Sequence, residues 1–167
     1  MTGRLPASTA VLTTAGSAVL IAIVGLVGLV GLGCARSGWT LVVSAAHSPA
    51  EYLAAPVGPD DTFALDYVHS VSNSPVTGVF RVTSRGMIEP VRTVFRSFGP
   101  GMPWMTGTDY ERLEDGSIVV RHDEAPRAEI NLWVSPLTQD RFTFKSHVLD
   151  LTADTEHAFL IEIRIRR

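Results

Sequence analysis

"HAFLIEIRIR", His157 to Arg166, is the stretch whose reading decides the fold. Phe159, Ile161, Ile163 and Ile165 fall on one side of an extended chain, and Leu160, Glu162, Arg164 and Arg166 on the other. Apolar residues alternating with polar ones at period two mark an antiparallel strand with one wet face. No long run after residue 38 carries a helical period.

Working back from this strand, shorter runs of the same texture recur between Gly, Pro, Asn, Asp and Ser. "WTLVV" begins at Trp39, and "EYLAAPV" is a weaker run interrupted by Pro56. "TFALDYVHS" sets Phe63, Leu65, Tyr67 and His69 on one face, and Ala64, Asp66, Val68 and Ser70 on the other. "VTGVFRVT", "MIEPVRTVFRS", "SIVVRH", "EINLWVS" and "RFTFKSHVLDL" follow. Short strands at roughly 8–12 residue spacing predict an all-β fold, a single antiparallel β-sandwich or small barrel. No internal repeat or second linker divides residues 34–167, so 34–60 reads as membrane-proximal strands continuous with a β domain over 61–167.

The N-terminal part is different. Val11 to Gly33, "VLTTAGSAVLIAIVGLVGLVGLG", holds no charged residue and is long enough to cross a bilayer as one helix. It exceeds the usual apolar core of a signal peptide, about 7–15 residues. The sequence therefore predicts a short cytoplasmic N-terminus (1–10), a transmembrane anchor (11–33) whose partner is the lipid bilayer, and an extracytoplasmic domain. The orientation rests on Arg4 and the N-terminal amine, set against Arg36 on the other flank. Gly25, Gly28 and Gly31, with Ala18 and Ala22, could let this helix pack closely on another, or simply reflect the glycine content of such helices. Cys34 is the single cysteine, so no intrachain disulfide forms. Gly33 before it suits an acylated lipoprotein cysteine, but Gly31 stands where a large aliphatic residue is usual, which favours an uncleaved anchor.

From Cys34 onward, 13 Lys+Arg face 17 Asp+Glu, a formal charge of −4. That balance offers neither the basic footprint of a nucleic-acid binder nor a polybasic lipid patch. His47, His69, His122, His147 and His157 are scattered, without the close pairs that announce a zinc site, and no cofactor is implied. Ser70–His69–Asp66 and Ser146–His147–Asp150 resemble triads only on paper. Adjacent Ser and His on a strand point to opposite faces and cannot share the required hydrogen bond. No catalytic residue is assigned.

Two loops remain. "SNSP", Ser72 to Pro75, has turn composition, with Asn73 able to take positive φ. Tyr67 and His69 before it point inward, where a ring most often ties down a nearby loop, although a site at a sheet rim is the other reading. "SFGPGMP", Ser97 to Pro103, builds a constrained loop that is either a strand connection or an anion-binding nest, with Trp104 just beyond.

The pattern formed by "DYVHSV", Pro75–Val76, Phe80, Phe95 and "SFGPGMP" resembles the domain of unknown function 1850 family, small membrane-tethered proteins of bacteria. The matching positions are Tyr67, His69, Ser70, Pro75, Val76, Phe80, Phe95, Phe98, Gly99, Gly101 and Pro103, within a likeness running from about Asp61 to the C-terminus. Members often carry an acidic residue shortly after the Pro-Val step, where this chain has Gly78. Genes of the family commonly lie beside TAXI-type TRAP transporters. The resemblance therefore implies an accessory or binding protein of such a system, with its permease or solute receptor as partner. It also implies that the His69 and Gly99–Pro103 segments form one shared feature, either a structural corner or a binding site, whose candidate contact residues are Tyr67, His69, Ser70, Phe98, Gly99, Gly101, Pro103 and Trp104. Two other classes compete: a membrane-tethered envelope enzyme with His69 as general base, and an envelope-structural protein without a ligand.

Overall fold

The computed structural model describes residues 38–98, 110–153 and 157–167. The anchor at 11–33, with Ala18, Ala22, Gly25, Gly28, Gly31 and Cys34, lies outside them, as do Gly99, Gly101, Pro103 and Trp104. No helix among the described residues is long and apolar enough to cross a membrane.

The strands are β1 (Trp39–Ala45), β2 (Glu51–Val57), β3 (Thr62–His69), β4 (Ser74–Val82), β5 (Ile88–Phe95), β6 (Tyr110–Arg112), β7 (Ile118–Arg121), β8 (Glu129–Val134), β9 (Arg141–Phe144), β10 (His147–Asp150) and β11 (Phe159–Arg166). They form two antiparallel sheets, one in the order β2-β1-β11-β8 and the other in the order β10-β9-β3-β4-β5-β7-β6. Leu41, Val43, Ile161 and Ile163 of the first sheet share one buried cluster with Phe63, Leu65, Phe142 and Phe144 of the second. The sheets thus pack face to face on a common core, as the alternation along β3 and β11 requires.

The larger sheet carries a second apolar cluster on the same face, formed by Val76, Phe95, Ile118 and Val120 with Tyr67 against them. The register explains the row: Tyr67 pairs with Val76, Val76 with Phe95, and Phe95 with Ile118. Tyr67 therefore stands where β3 passes from the main core to this second one.

Three readings of the strands need correction. "RFTFKSHVLDL" is not one strand but a hairpin, turning at Lys145–Ser146 with Lys145 at φ 52°. Pro56 does not interrupt β2, because β2 is a sheet edge, where a missing N–H breaks no ladder bond. Tyr110–Arg112 forms a short strand that alternation does not reveal, all three residues being exposed.

Both ends of the strands carry exposed charge, and where β3 finishes this includes Glu51, Arg96, Arg112, Asp115, Arg141 and Asp150. At one end Asp60, Arg85, Arg127, Lys145 and Arg166 are exposed, and the Lys145 ammonium meets the Asp61 carboxylate at 2.7 Å. The other end holds His69 and the turn after it, the turn between β8 and β9, and the start of β2. A 2.7 Å bond from the Val68 N–H to the Thr138 carbonyl fixes this correspondence between the sheets. Exposed Tyr52, Val71, Trp133 and Leu137 all stand at that second end.

Candidate functional site

The site is built from two turns at the His69 end, each closed on a buried titratable side chain. His69 ends β3 and is 8% exposed. The turn after it doubles back, with Asn73 at φ 48° and its N–H donating to the His69 carbonyl at 2.8 Å. This brings Ser72 over the imidazole. The Ser72 N–H donates to Nδ1 at 3.2 Å, and the Ser72 hydroxyl lies 3.1 Å from the same nitrogen. Ser72 Oγ in turn lies 2.7 Å from Ser74 Oγ. Because Nδ1 accepts the backbone N–H, the proton of the neutral ring sits on Nε2.

The second turn joins β8 to β9 through "SPLTQD". Asp140 is 3% exposed, and its Oδ2 accepts from the Ser135 N–H at 3.2 Å and from the Thr138 hydroxyl. Burial pushes the Asp140 carboxyl above its ordinary value, and the hydrogen bonds from Thr138 and Ser135 only partly oppose it. The Tyr67 phenol is raised as well, first by burial and then by the negative charge of Asp140. The turns are joined by the Val68–Thr138 bond, so His69, Tyr67 and Asp140 belong to one polar base. Above that base the turn tips are apolar: Val71 is 68% exposed and Leu137 83%.

The sequence-predicted residues divide. Tyr67 and His69 point inward and come together here, whereas Ser70 is exposed beyond the strand end. Phe98 is exposed and meets Phe95 edge-on at 5.2 Å and Tyr110 at 5.7 Å, forming an aromatic ladder off the second core. Asp66 lies on the opposite face, accepting from the Thr77 hydroxyl at 2.6 Å, so it cannot orient His69. Asp150 accepts both the N–H and the hydroxyl of Thr152, and Ser146 is a turn residue, so the second paper triad is not assembled. His122 is half-buried just past β7, its Nε2 2.8 Å from the Thr93 hydroxyl. Among the described residues, no group of three or more His, Cys, Asp or Glu is placed to hold a metal ion.

Sequence reasoning missed Asp140, Thr138 and Ser135, and passed over Ser72 in favour of Ser70. A signal for the first three was present, since Ser-Pro followed by Thr and Asp is the composition of a side-chain-capped turn. A separate cleft of about 500 Å³ opens between Tyr52 and Phe159 of the smaller sheet and Val148–Leu151 of the larger. Its lining mixes apolar side chains with the Asp150 carboxylate and the Tyr52 phenol, and the two aromatic rings sit 6.5 Å apart.

Against known proteins, a family model described as a domain of unknown function (DUF1850) matches residues 63–151. The match begins with β3 and ends just past β10, short of the C-terminus to which the likeness was expected to run. No curated protein matches the chain, and no solved structure matches it. The matched segment contains both turns, both clasps and most of the larger sheet, and on it the chain belongs to the DUF1850 family.

Proposed function

We propose that the chain is a membrane-tethered, non-catalytic binding module, held by residues 11–33 with its β domain outside the cytoplasm. In this reading it serves a TAXI-type TRAP solute transport system through the permease or its solute receptor. The observation that carries it is the use made of the two buried titratable groups at the site. His69 Nδ1 and the Asp140 carboxylate each accept a backbone N–H and meet a hydroxyl from their own turn. Groups engaged in this way hold loops in shape, which is what a docking surface needs. An anchor raises the local concentration of the domain at its membrane, so a weak contact by such a surface suffices.

One observation favours a second reading. The Ser72 hydroxyl lies 3.1 Å from His69 Nδ1, a nucleophile–base distance, and a tethered envelope hydrolase would use it. The first experiment is copurification of the tagged full-length protein from its native membrane in mild detergent, with bound proteins identified by mass spectrometry. Recovery of a TRAP permease or receptor is the expected result. A clean monomer, together with an activity lost in Ser72→Ala, would move the assignment to the enzyme.

A further inference from the structure

We infer that the cleft beside β10 binds an extended segment of polypeptide, which adds a strand to the β10 edge. The guest sets one aliphatic side chain against the Tyr52 and Phe159 rings and one basic side chain beside Asp150. The site lies apart from the two clasps, and the inference goes beyond the proposed function, since it holds for any partner the domain serves. Three observations carry it. The first is which residues line the cleft. Val148, Leu149 and Asp150 of β10 all do so, with Leu151 just past them. Successive side chains of a strand point to opposite faces, so a cleft that takes in both sets lies along the edge of the strand rather than over one face. Among the described residues, β10 ends its sheet and pairs only with β9.

The second is which main-chain groups that edge presents. The hairpin turns through Lys145 and Ser146, so Phe144 and His147 form a hydrogen-bonded pair, and such pairs recur at every second residue. Leu149 opposite Phe142 is the next, and the Leu151 N–H donates to the Asp140 carbonyl at 2.9 Å in the same phase. Val148 and Asp150 therefore turn their N–H and C=O groups away from β9, toward the cleft. Donors and acceptors repeating every two residues match the main chain of an extended peptide, whereas an apolar small molecule leaves them unpaired. β2, which supplies Tyr52 to the cleft, is a blunted edge. Its Pro56 lacks an N–H, and the Lys145 ammonium lies 3.5 Å from the Pro56 carbonyl. β10 has neither proline nor lysine and no break in its register. Its four residues limit the paired part of a guest to that length.

The third is what the side chains select. On the inner side Leu149 and Leu151 share the cleft with Phe159 and with Tyr52, which is 47% exposed. A guest residue opposite Leu149 points the same way and brings an aliphatic side chain to this wall. On the outer side stand Val148, which is exposed, and Asp150. The N–H and hydroxyl of Thr152 both donate to Asp150 Oδ1 and hold its carboxyl below the ordinary value, so it is charged at neutral pH. Arg141 stands opposite it on β9, but the two form no ion pair among the described residues. Glu51, next to Tyr52, is already held by Arg166 at 2.7 Å. A guest Lys or Arg arriving on the free flank of Asp150 therefore meets opposite charge, and a guest Asp or Glu meets like charge.

The test selects a display library of short random peptides, flanked by glycine, against the purified full-length protein in mild detergent, and titrates the enriched peptides after synthesis. Expected are peptides in which a basic residue adjoins an aliphatic one. Their affinity should fall about tenfold or more for Val148→Pro, which removes an N–H from the edge and puts a ring in its place. It should fall as far when one of the two alternating sets of peptide amides is N-methylated, the other set having much less effect. Val148→Pro should keep the wild-type melting temperature, because that N–H takes no part in the β9 ladder. Tyr52→Ala, at an exposed ring, leaves the backbone alone and should weaken the same peptides. Failure to enrich any peptide overturns the proposal, as do peptides that bind both variants as tightly as wild type. Full affinity after N-methylation of either set overturns it in favour of a pocket that reads side chains or small molecules. A dimer of the free protein that Val148→Pro dissociates overturns it in favour of a second copy pairing at this edge.

Discussion

The N–H of Val68 donates to the carbonyl of Thr138 at 2.7 Å, joining the strand that ends in His69 to the turn closed by Asp140. One main-chain bond thus makes a single unit of two turns that lie far apart in sequence. Disturbance of either clasp should be felt at both tips.

His69→Ala removes the acceptor for the Ser72 N–H, a part-buried donor, and takes out a side chain that is itself buried. A loss of about 1–3 kcal/mol is expected, the cost of an unpaired buried polar group. Thermal unfolding gives the size of the loss, and amide exchange at Ser72 and Asn73 should rise together. An unchanged melting temperature would remove the structural role from His69.

Asp140 predicts a pH dependence whose sign follows from burial. Its folded value is raised above 3.8, so between that unfolded reference and the folded value the native state holds more protons than the unfolded one. Its contribution to stability is therefore fully present below 3.8 and declines as pH rises through the folded value. Asp140→Asn keeps an acceptor for Thr138 and abolishes the titration. Relative to wild type, the variant should gain stability as pH rises through that window, measured by denaturant midpoint. A flat difference across pH would contradict the assignment.

Lys145 occupies a positive-φ position that a side chain resists, and it also reaches Asp61 at 2.7 Å. Burial would raise the Asp61 carboxyl, but the hydrogen bond and charge of Lys145 and the Gly58 N–H hold it below its ordinary value. Lys145→Gly relieves roughly 1 kcal/mol of backbone strain and gives up a half-exposed ion pair of about 0.5 kcal/mol. The variant should be as stable as wild type or slightly more stable at neutral pH. Lys145→Ala keeps the strain and loses the pair, so it should be the weaker of the two in the same assay.

Gly86 sits at φ 72° in the turn between β4 and β5, and a Cβ there would meet the Trp39 ring at 3.3 Å. Gly116 has φ 83° with nothing within 4 Å of the same position. Both alanine variants incur the left-handed cost of roughly 1–2 kcal/mol, but Gly86→Ala must also displace the indole. Its melting temperature should fall further than that of Gly116→Ala, and Trp39 fluorescence should shift only in the former.

The sequence showed best where one physical signal dominated. β11 and β3 alternate cleanly because one face of each is in the shared core, and Asn73 takes positive φ as its turn composition predicts. The β9–β10 hairpin was hidden because Lys-Ser is not a residue pair that advertises a two-residue turn. The Asp140 clasp depends on Thr138 docking against Val68 across the fold, a contact no local pattern encodes. Ser72 was eclipsed by Ser70 for a geometric reason. A neighbour in sequence points away along a strand, whereas a residue three positions on can return to the same ring once the chain turns.

The pairing of β1 with β11 has a consequence for how the protein is made. Thr40 lies opposite Arg166 and Val43 opposite Ile163, so the smaller sheet joins strands from the two extremes of the described domain. During synthesis, β1 and β2 can form at most an isolated hairpin, a structure of marginal stability in water. The β1 edge that pairs with β11, and the place of Ile161 and Ile163 beside Leu41 and Val43, stay unfilled until β11 has left the ribosome. Completion of the smaller sheet thus waits for the last described strand, whatever pairing the earlier strands have reached by then.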